Sequence, residues 1–168
     1  VNVSARQFGR EDLAAAIAEV LRETGLAPGL LELEVTETTI MQNADRAAQL
    51  LQQLRQMGVR TVIDDFGTGY SSLGYLRRFP VDGVKIDRSF IRDIPGDKDG
   101  VAITQAVIAM AHSLRLKVIA EGVETEEQFR YLRDHGCDEF QGYYYSAPVA
   151  AAALLEMLTA PPGKFRSA

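Results

Sequence analysis

Cysteine and histidine are scarce in this chain, with Cys137, His112 and His135 the only ones among 168 residues. A single thiol excludes an internal disulfide framework and a thiolate-rich metal site, and it suits a reducing cytoplasm. Two imidazoles are too few for a histidine-based centre, so any metal held here takes oxygen ligands, which favours Mg2+ or Mn2+ over Zn2+. Long apolar runs are missing too. No stretch approaches the roughly 20 residues that span a bilayer, and the first residues lack the basic-then-apolar pattern of a signal peptide, so no direct membrane insertion is expected of this segment. Positive charge is in deficit, and a net charge of −5 argues against a nucleic-acid polymer as partner, though not against a small nucleotide held through cations. Apolar side chains are plentiful: 46% of the residues are hydrophobic, enough at this length for one core and one domain.

Strand and helix signals alternate. Val1–Ser4 reads as a strand, and because nothing resembling an initiator or leader stands before it, the chain is expected to be a fragment. Glu11–Thr24 has amphipathic helical spacing closed by Gly25, a good left-handed cap. Leu31–Thr36 alternates like a strand, and a helix follows from about Asp45 to Met57. Arg60–Asp65 is the next strand; after it come a glycine-containing turn over Phe66–Tyr70 and a short helix that Pro80 stops. Gly83–Asp87 reads as a strand, Pro95–Gly100 as a loop and Val101–Leu114 as a mostly buried helix. Lys117–Glu121 is a strand, Thr125 and Gln128 form a capping box, Asp138–Gln141 is a last strand, and an alanine-rich helix runs over Val149–Leu158. About six β-then-α units in a row imply a parallel sheet with right-handed crossovers, either open and doubly wound or part of an eight-stranded barrel.

The polar residues choose between the two. Strand periodicity puts Asn2, Glu34, Asp64, Lys85, Glu121 and Gln141 on one face near the strand ends. Along a flat sheet they would be strung over roughly 24 Å, at about 4.8 Å per strand; in a barrel they meet at one mouth, where such folds carry their sites. Any one of them alone reads as a solvated strand end. Together, Glu34, Asp64, Asp65 and Glu121 gather negative charge that calls for cations, with Asn2 as a neutral oxygen ligand, and a carboxylate shared by two ions suits phosphoryl transfer. Lys85 sits mid-strand with Asp87 on the same face to hold it; it can polarise a water or a phosphate oxygen, form a Schiff base with a carbonyl substrate, or serve only as a structural ion pair. The turn with Gly67, Thr68 and Gly69 is either a phosphate cradle or simply a tight turn. His112 and His135 read as structural, and Cys137 as a small buried residue.

Six segments carry a resemblance: Val1-Asn2-Val3-Ser4, Leu33-Glu34-Val35-Thr36-Glu37, Ile63 to Ser72, Lys85-Ile86-Asp87, Ala120 to Thr125, and Gln141-Gly142-Tyr143-Tyr144. In order and spacing they resemble the EAL domain family. The resemblance implies a TIM-like (β/α)8 barrel, with about six β/α units in this chain, that hydrolyses cyclic di-GMP to linear pGpG with two Mg2+ or Mn2+ ions. It implies Asn2, Glu34, Asp64, Asp65 and Glu121 as metal ligands, Lys85 as the residue that positions the hydrolytic water, and Asp87 and Gln141 as its polar neighbours. Glu37 resembles the glutamate that steadies the turn after Asp65, a turn linked to homodimers, and Glu124 matches a further acidic position. On this reading residues 1–160 are a partial domain without the first two strands, among them the Glu-Ala-Leu segment whose glutamate is a further metal ligand, so the fragment alone is expected to be impaired and the activity to belong to the full-length protein; residues 161–168 are a tail, and sensory or GGDEF domains are expected upstream. A nucleotide receptor without catalysis and a Schiff-base lyase using Lys85 are the alternatives.

Overall fold

The structure is a computed structural model that describes residues 1–69 and 73–159. Tyr70, Ser71 and Ser72 of the expected turn, and the expected tail over 161–168, lie outside the described residues.

Local signals set most boundaries. Ser4, expected to end a strand, instead caps α1 (Ala5–Phe8): its hydroxyl accepts the Gln7 N–H while the Gln7 side chain accepts the Ser4 N–H. The first strand is thus reduced to one parallel bridge between Asn2 and Glu34, closed by Val3 N to Glu34 O at 2.8 Å and Glu34 N to Val1 O at 2.9 Å. Helix α2 (Leu13–Thr24) ends at Gly25, which takes φ 67° and donates to Leu21 O. Strand β1 (Glu32–Thr36) runs into α3 (Glu37–Met41), a short helix the sequence did not announce, capped by the Thr36 hydroxyl. Then come α4 (Ala44–Gln56), β2 (Arg60–Phe66), α5 (Leu73–Leu76) and β3 (Gly83–Ile86). Asp87 leaves the strand and caps α6 (Arg88–Ile91) by accepting the Ser89 N–H. The loop expected over Pro95–Gly100 is shorter, because Asp97 accepts the N–H groups of Asp99 and Gly100 and starts α7 (Lys98–Ser113) early. Strand β4 (Lys117–Glu121), α8 (Glu126–Asp134) with its Thr125/Gln128 capping box, β5 (Glu139–Gln141) and α9 (Ala151–Thr159) complete the described chain.

The five strands are parallel and lie in sequence order, β1 to β5. A doubly wound sheet reverses its order at a switch point; this one does not. Right-handed crossovers then place every connecting helix on the same side. The buried cluster matches that side: Leu33 and Val35 of β1, Ile63 of β2 and Val84 and Ile86 of β3 pack with Leu51 and Leu54 of α4 and Ile91 of α6. Val62 and Ile119 are buried at 2% and 8% exposure yet lie outside that cluster. Both point to the other face of the sheet, below the polar residues described next.

Candidate active site

Register puts the predicted polar residues on that second face. Asn2 pairs with Glu34, Thr36 with Asp64, Lys85 with Ile119, and Glu121 with Gln141. Paired residues in a parallel sheet point the same way, and residues two apart share a face. Between Ile63 and Phe66 the β2/β3 register shifts, and Asp65 takes φ 53°. The extra residue and the left-handed backbone let two consecutive aspartates reach one site, which strict alternation forbids.

Lys85 is the centre. Its side chain is 4% exposed, and its Nζ lies 2.8 Å from Glu34 Oε2, 3.2 Å from Asp64 Oδ1 and 2.5 Å from Glu121 Oε1. Burial pulls its pKa down, but the hydrogen bonds to Glu121 and Glu34 outweigh that and hold the ammonium above the ordinary lysine range. Glu121 nevertheless titrates above the usual carboxylate range, because burial and the charges of Asp64 and Glu34 exceed the pull of Lys85. Both members of a simple pair would not shift up together; one ammonium is being shared among several carboxylates, and negative charge is left over. Asp65 is likewise raised, first by burial and then by the charges of Asp64 and Asp87, with which it also shares a hydrogen bond.

Carboxylate oxygens of Asp64, Asp65 and Glu121 all lie within 4.8 Å of one another. Ligands of a common Mg2+ stand about 2.1 Å from the ion, hence roughly 3–4 Å apart, so these oxygens need only small adjustments to share one. The donor set is all oxygen, the surplus charge is negative, and the residues fit a hard divalent cation.

Other expected residues fall nearby with different contacts. Asp87, expected to hold Lys85, faces Asp65 and caps α6 instead; among the described residues the ion pairs of Lys85 go to Glu34, Asp64 and Glu121. The reason is that β3 ends at Ile86, so Asp87 no longer follows the strand period. Gln141 sits beside Glu121 on β5 with its side chain exposed, and Asn2 is exposed beside Glu34. Glu37 is 4% exposed and accepts the Gly67 N–H at 3.1 Å; a Cβ on Gly69 would come 2.7 Å from its Oε1. Thr68 closes the turn by donating from its hydroxyl to Asp65 O. Glu124 is exposed, and its N–H donates to Gln128 Oε1. Sequence reasoning saw Gln128 only as half of a capping box. Its Nε2 also donates to Ile91 O at 3.2 Å and Arg92 O at 2.8 Å, tying the loop after Glu121 to the helix after Asp87.

The sequence and the fold both have counterparts among known proteins. The EAL domain model matches residues 1–148. The chain is 52% identical over 160 residues to the cyclic di-GMP phosphodiesterase NbdA of Pseudomonas aeruginosa, covering 95% of this chain and 20% of that protein. Among solved structures, the MucR phosphodiesterase in complex with c-di-GMP superposes with a TM-score of 0.89 at 47% identity, over 92% of this chain and 62% of that one. Klebsiella pneumoniae BlrP1, in a manganese/cy-diGMP complex, gives 0.81 at 36% identity over 88% and 38%. The chain thus spans about a fifth of the length of the curated relatives it matches. Its sequence-ordered parallel sheet is part of the TIM-like barrel of these structures, and the chain belongs to the EAL domain family.

Proposed function

We propose that this chain is the part of a cyclic di-GMP phosphodiesterase that holds two Mg2+ or Mn2+ ions and opens one phosphodiester of the messenger to give linear pGpG. The observation that carries this reading is the convergence of Glu34, Asp64 and Glu121 on Lys85, with Asp65 added by the register shift. The names of the relatives, and the complexes of neighbours with c-di-GMP and manganese, favour the same substrate and metal class.

Asn2, Glu34, Asp64, Asp65 and Glu121 would hold the ions, which supply acidity to water and neutralise phosphate charge. Lys85 stays protonated and donates towards the water or the phosphate oxygen. Asp87 and Gln141 flank the site, Glu37 steadies the turn that carries Gly67, Thr68 and Gly69, and Glu124 lies on the neighbouring loop. In the reaction, water oxygen bonds to phosphorus, the bond to the 3′ oxygen breaks, and the proton given up by water ends on that oxygen. A cytoplasmic setting, a homodimer and GGDEF or sensory domains in the same protein belong to this proposal; the relative MucR is named a bifunctional diguanylate cyclase/cyclic di-GMP phosphodiesterase.

The Schiff-base alternative conflicts with the site. A nucleophilic lysine needs a lowered pKa, and here the carboxylates push Lys85 up. The test is chromatographic: the full-length protein that contains this chain, supplied with Mn2+, should convert cyclic di-GMP to pGpG. Tight nucleotide binding without turnover would overturn hydrolysis in favour of a receptor.

A further inference from the structure

A second cleft, about 390 Å3 in volume, opens at the other end of the strands. Val81 and Leu116, which line it, come directly before β3 and β4, whereas Lys85 and Glu121 lie toward the ends of those strands. Its rim carries Arg55, Arg77, Arg78 and Arg115, and no carboxylate lines it among the described residues. In a chain with 23 acidic residues against 18 lysines and arginines, that segregation is uneven. Arg78 reaches Asp45 at 3.1 Å. The guanidinium groups of Arg55, Arg77 and Arg115 have no hydrogen-bond or ion-pair partner among the described residues. Asp82, next to Val81, uses its carboxylate to accept the Thr61 N–H.

Arg115 adds an observation of a different kind. Helices α2, α4 and α8 are each followed within two residues by a left-handed glycine, Gly25, Gly58 and Gly136, at φ 67°, 82° and 85°. The corresponding residue after α7 is Arg115, at φ 62°. Glycine is the relaxed choice for that conformation, so an arginine there is retained against backbone preference. Positive charge does complement a helix C-terminus, which accounts for Arg55 and Arg115 singly. It does not account for Arg77, nor for four arginines lining one cleft whose apolar lining includes the half-buried Pro80 and Leu114.

We propose that this cleft binds a small phosphorylated ligand of the nucleotide class, with its phosphates on Arg55, Arg77 and Arg115 and its planar part against the half-buried Pro80 and Leu114. Guanidinium groups match phosphate oxygens in pairs, and the volume lies within the range of small-molecule sites, about 300–1,000 Å3. The site is separate from the acidic one, which repels phosphate unless metal is present.

Titration calorimetry with ADP and with inorganic pyrophosphate, in EDTA and at low salt, tests the assignment. ADP should bind to one equivalent and more tightly than pyrophosphate. The double variant R77Q/R115Q should weaken both by about tenfold or more, as expected for losing charge-assisted donors. Wild-type affinity in that variant, or no binding of either probe at about 5 mM, overturns the site, and equal affinities for the two probes overturn the nucleotide class. Arg115→Gly provides an internal control: it should raise the thermal midpoint by relaxing the backbone while weakening ADP, and unchanged ADP affinity would remove Arg115 from the site.

Discussion

An ammonium as buried as that of Lys85 persists only where carboxylates replace its water, and three of them do so here. Replacing it with methionine keeps the volume and removes the charge. Glu34, Asp64 and Glu121 would then face one another with no cation between them. Because these carboxylates retain 13–21% side-chain exposure, we expect a loss of about 2 kcal/mol in EDTA, below the range for a fully buried pair. Mn2+ should recover part of it while turnover stays abolished. Urea unfolding with and without Mn2+ measures this, and an unchanged midpoint in EDTA would show that the ion pairs contribute nothing. Cys137 is the opposite case, a thiol pushed up to about 11, chiefly by burial. Its folded pKa lies above its unfolded value, so the stabilisation of the neutral thiol is present below the unfolded value and fades as pH rises through 11. At pH 8 the thiolate fraction should be about a hundredfold below that of a free cysteine. Alkylation should therefore be slow until urea unfolds the chain, and rapid labelling of the native protein would contradict the burial.

At the level of elements, what holds the mouth of the sheet is a set of ties between loops. Gln128 Oε1 accepts the N–H groups of Glu124 and Thr125 while its Nε2 donates to Ile91 O and Arg92 O. Gln128→Ala leaves the N–H groups of Glu124 and Thr125 and the carbonyl of Arg92 without these bonds, while Ile91 O keeps the Ile94 N–H, and we expect a cost of about 2 kcal/mol. Gln128→Glu should cost as much or more, because a carboxylate would face the two carbonyls. A change within about 0.5 kcal/mol, the usual scatter of surface substitutions, would mean that water replaces the amide. The capping box was legible from Thr125 and Gln128 because its partners are three residues apart; the bonds to Ile91 and Arg92 span 37 and 36 residues, and no local pattern encodes them. The same limit explains α3 and α6, single turns set by Thr36 and Asp87 caps rather than by periodicity. Asp65 was counted in the cluster from its place beside Asp64, but the register shift that brings it there lies between two strands and has no local pattern. Glu34, Lys85 and Glu121 were legible for the converse reason: each sits in a regular strand, where alternation alone fixes the face.

The whole molecule resolves a choice that the pattern of elements left open. Alternating strands and helices are common to wound sheets and barrels, and only the strand order, β1 to β5 without reversal, separates the two. The inference from the polar residues reached the same answer, because a flat sheet would have kept Asn2 and Glu121 far apart. That arrangement ties stability to metal. With Glu121 and Asp65 raised above the ordinary carboxylate range by burial and by their neighbours, the ion-free fold carries a repulsion that the unfolded chain does not. A cation bound only by the folded state stabilises it by an amount that grows with the ratio of its concentration to its dissociation constant, about 2.7 kcal/mol at a hundredfold excess. We therefore expect Mn2+ to raise the thermal midpoint by several degrees over EDTA, since about 1 kcal/mol shifts a domain of this size by roughly 2–4 °C. Asp64→Ala should lower this metal-dependent increment sharply, whatever it does to the midpoint in EDTA. If the full increment survived in that variant, Asp64 would not be a ligand, and the cluster around Lys85 would be a structural ion-pair network rather than a metal site.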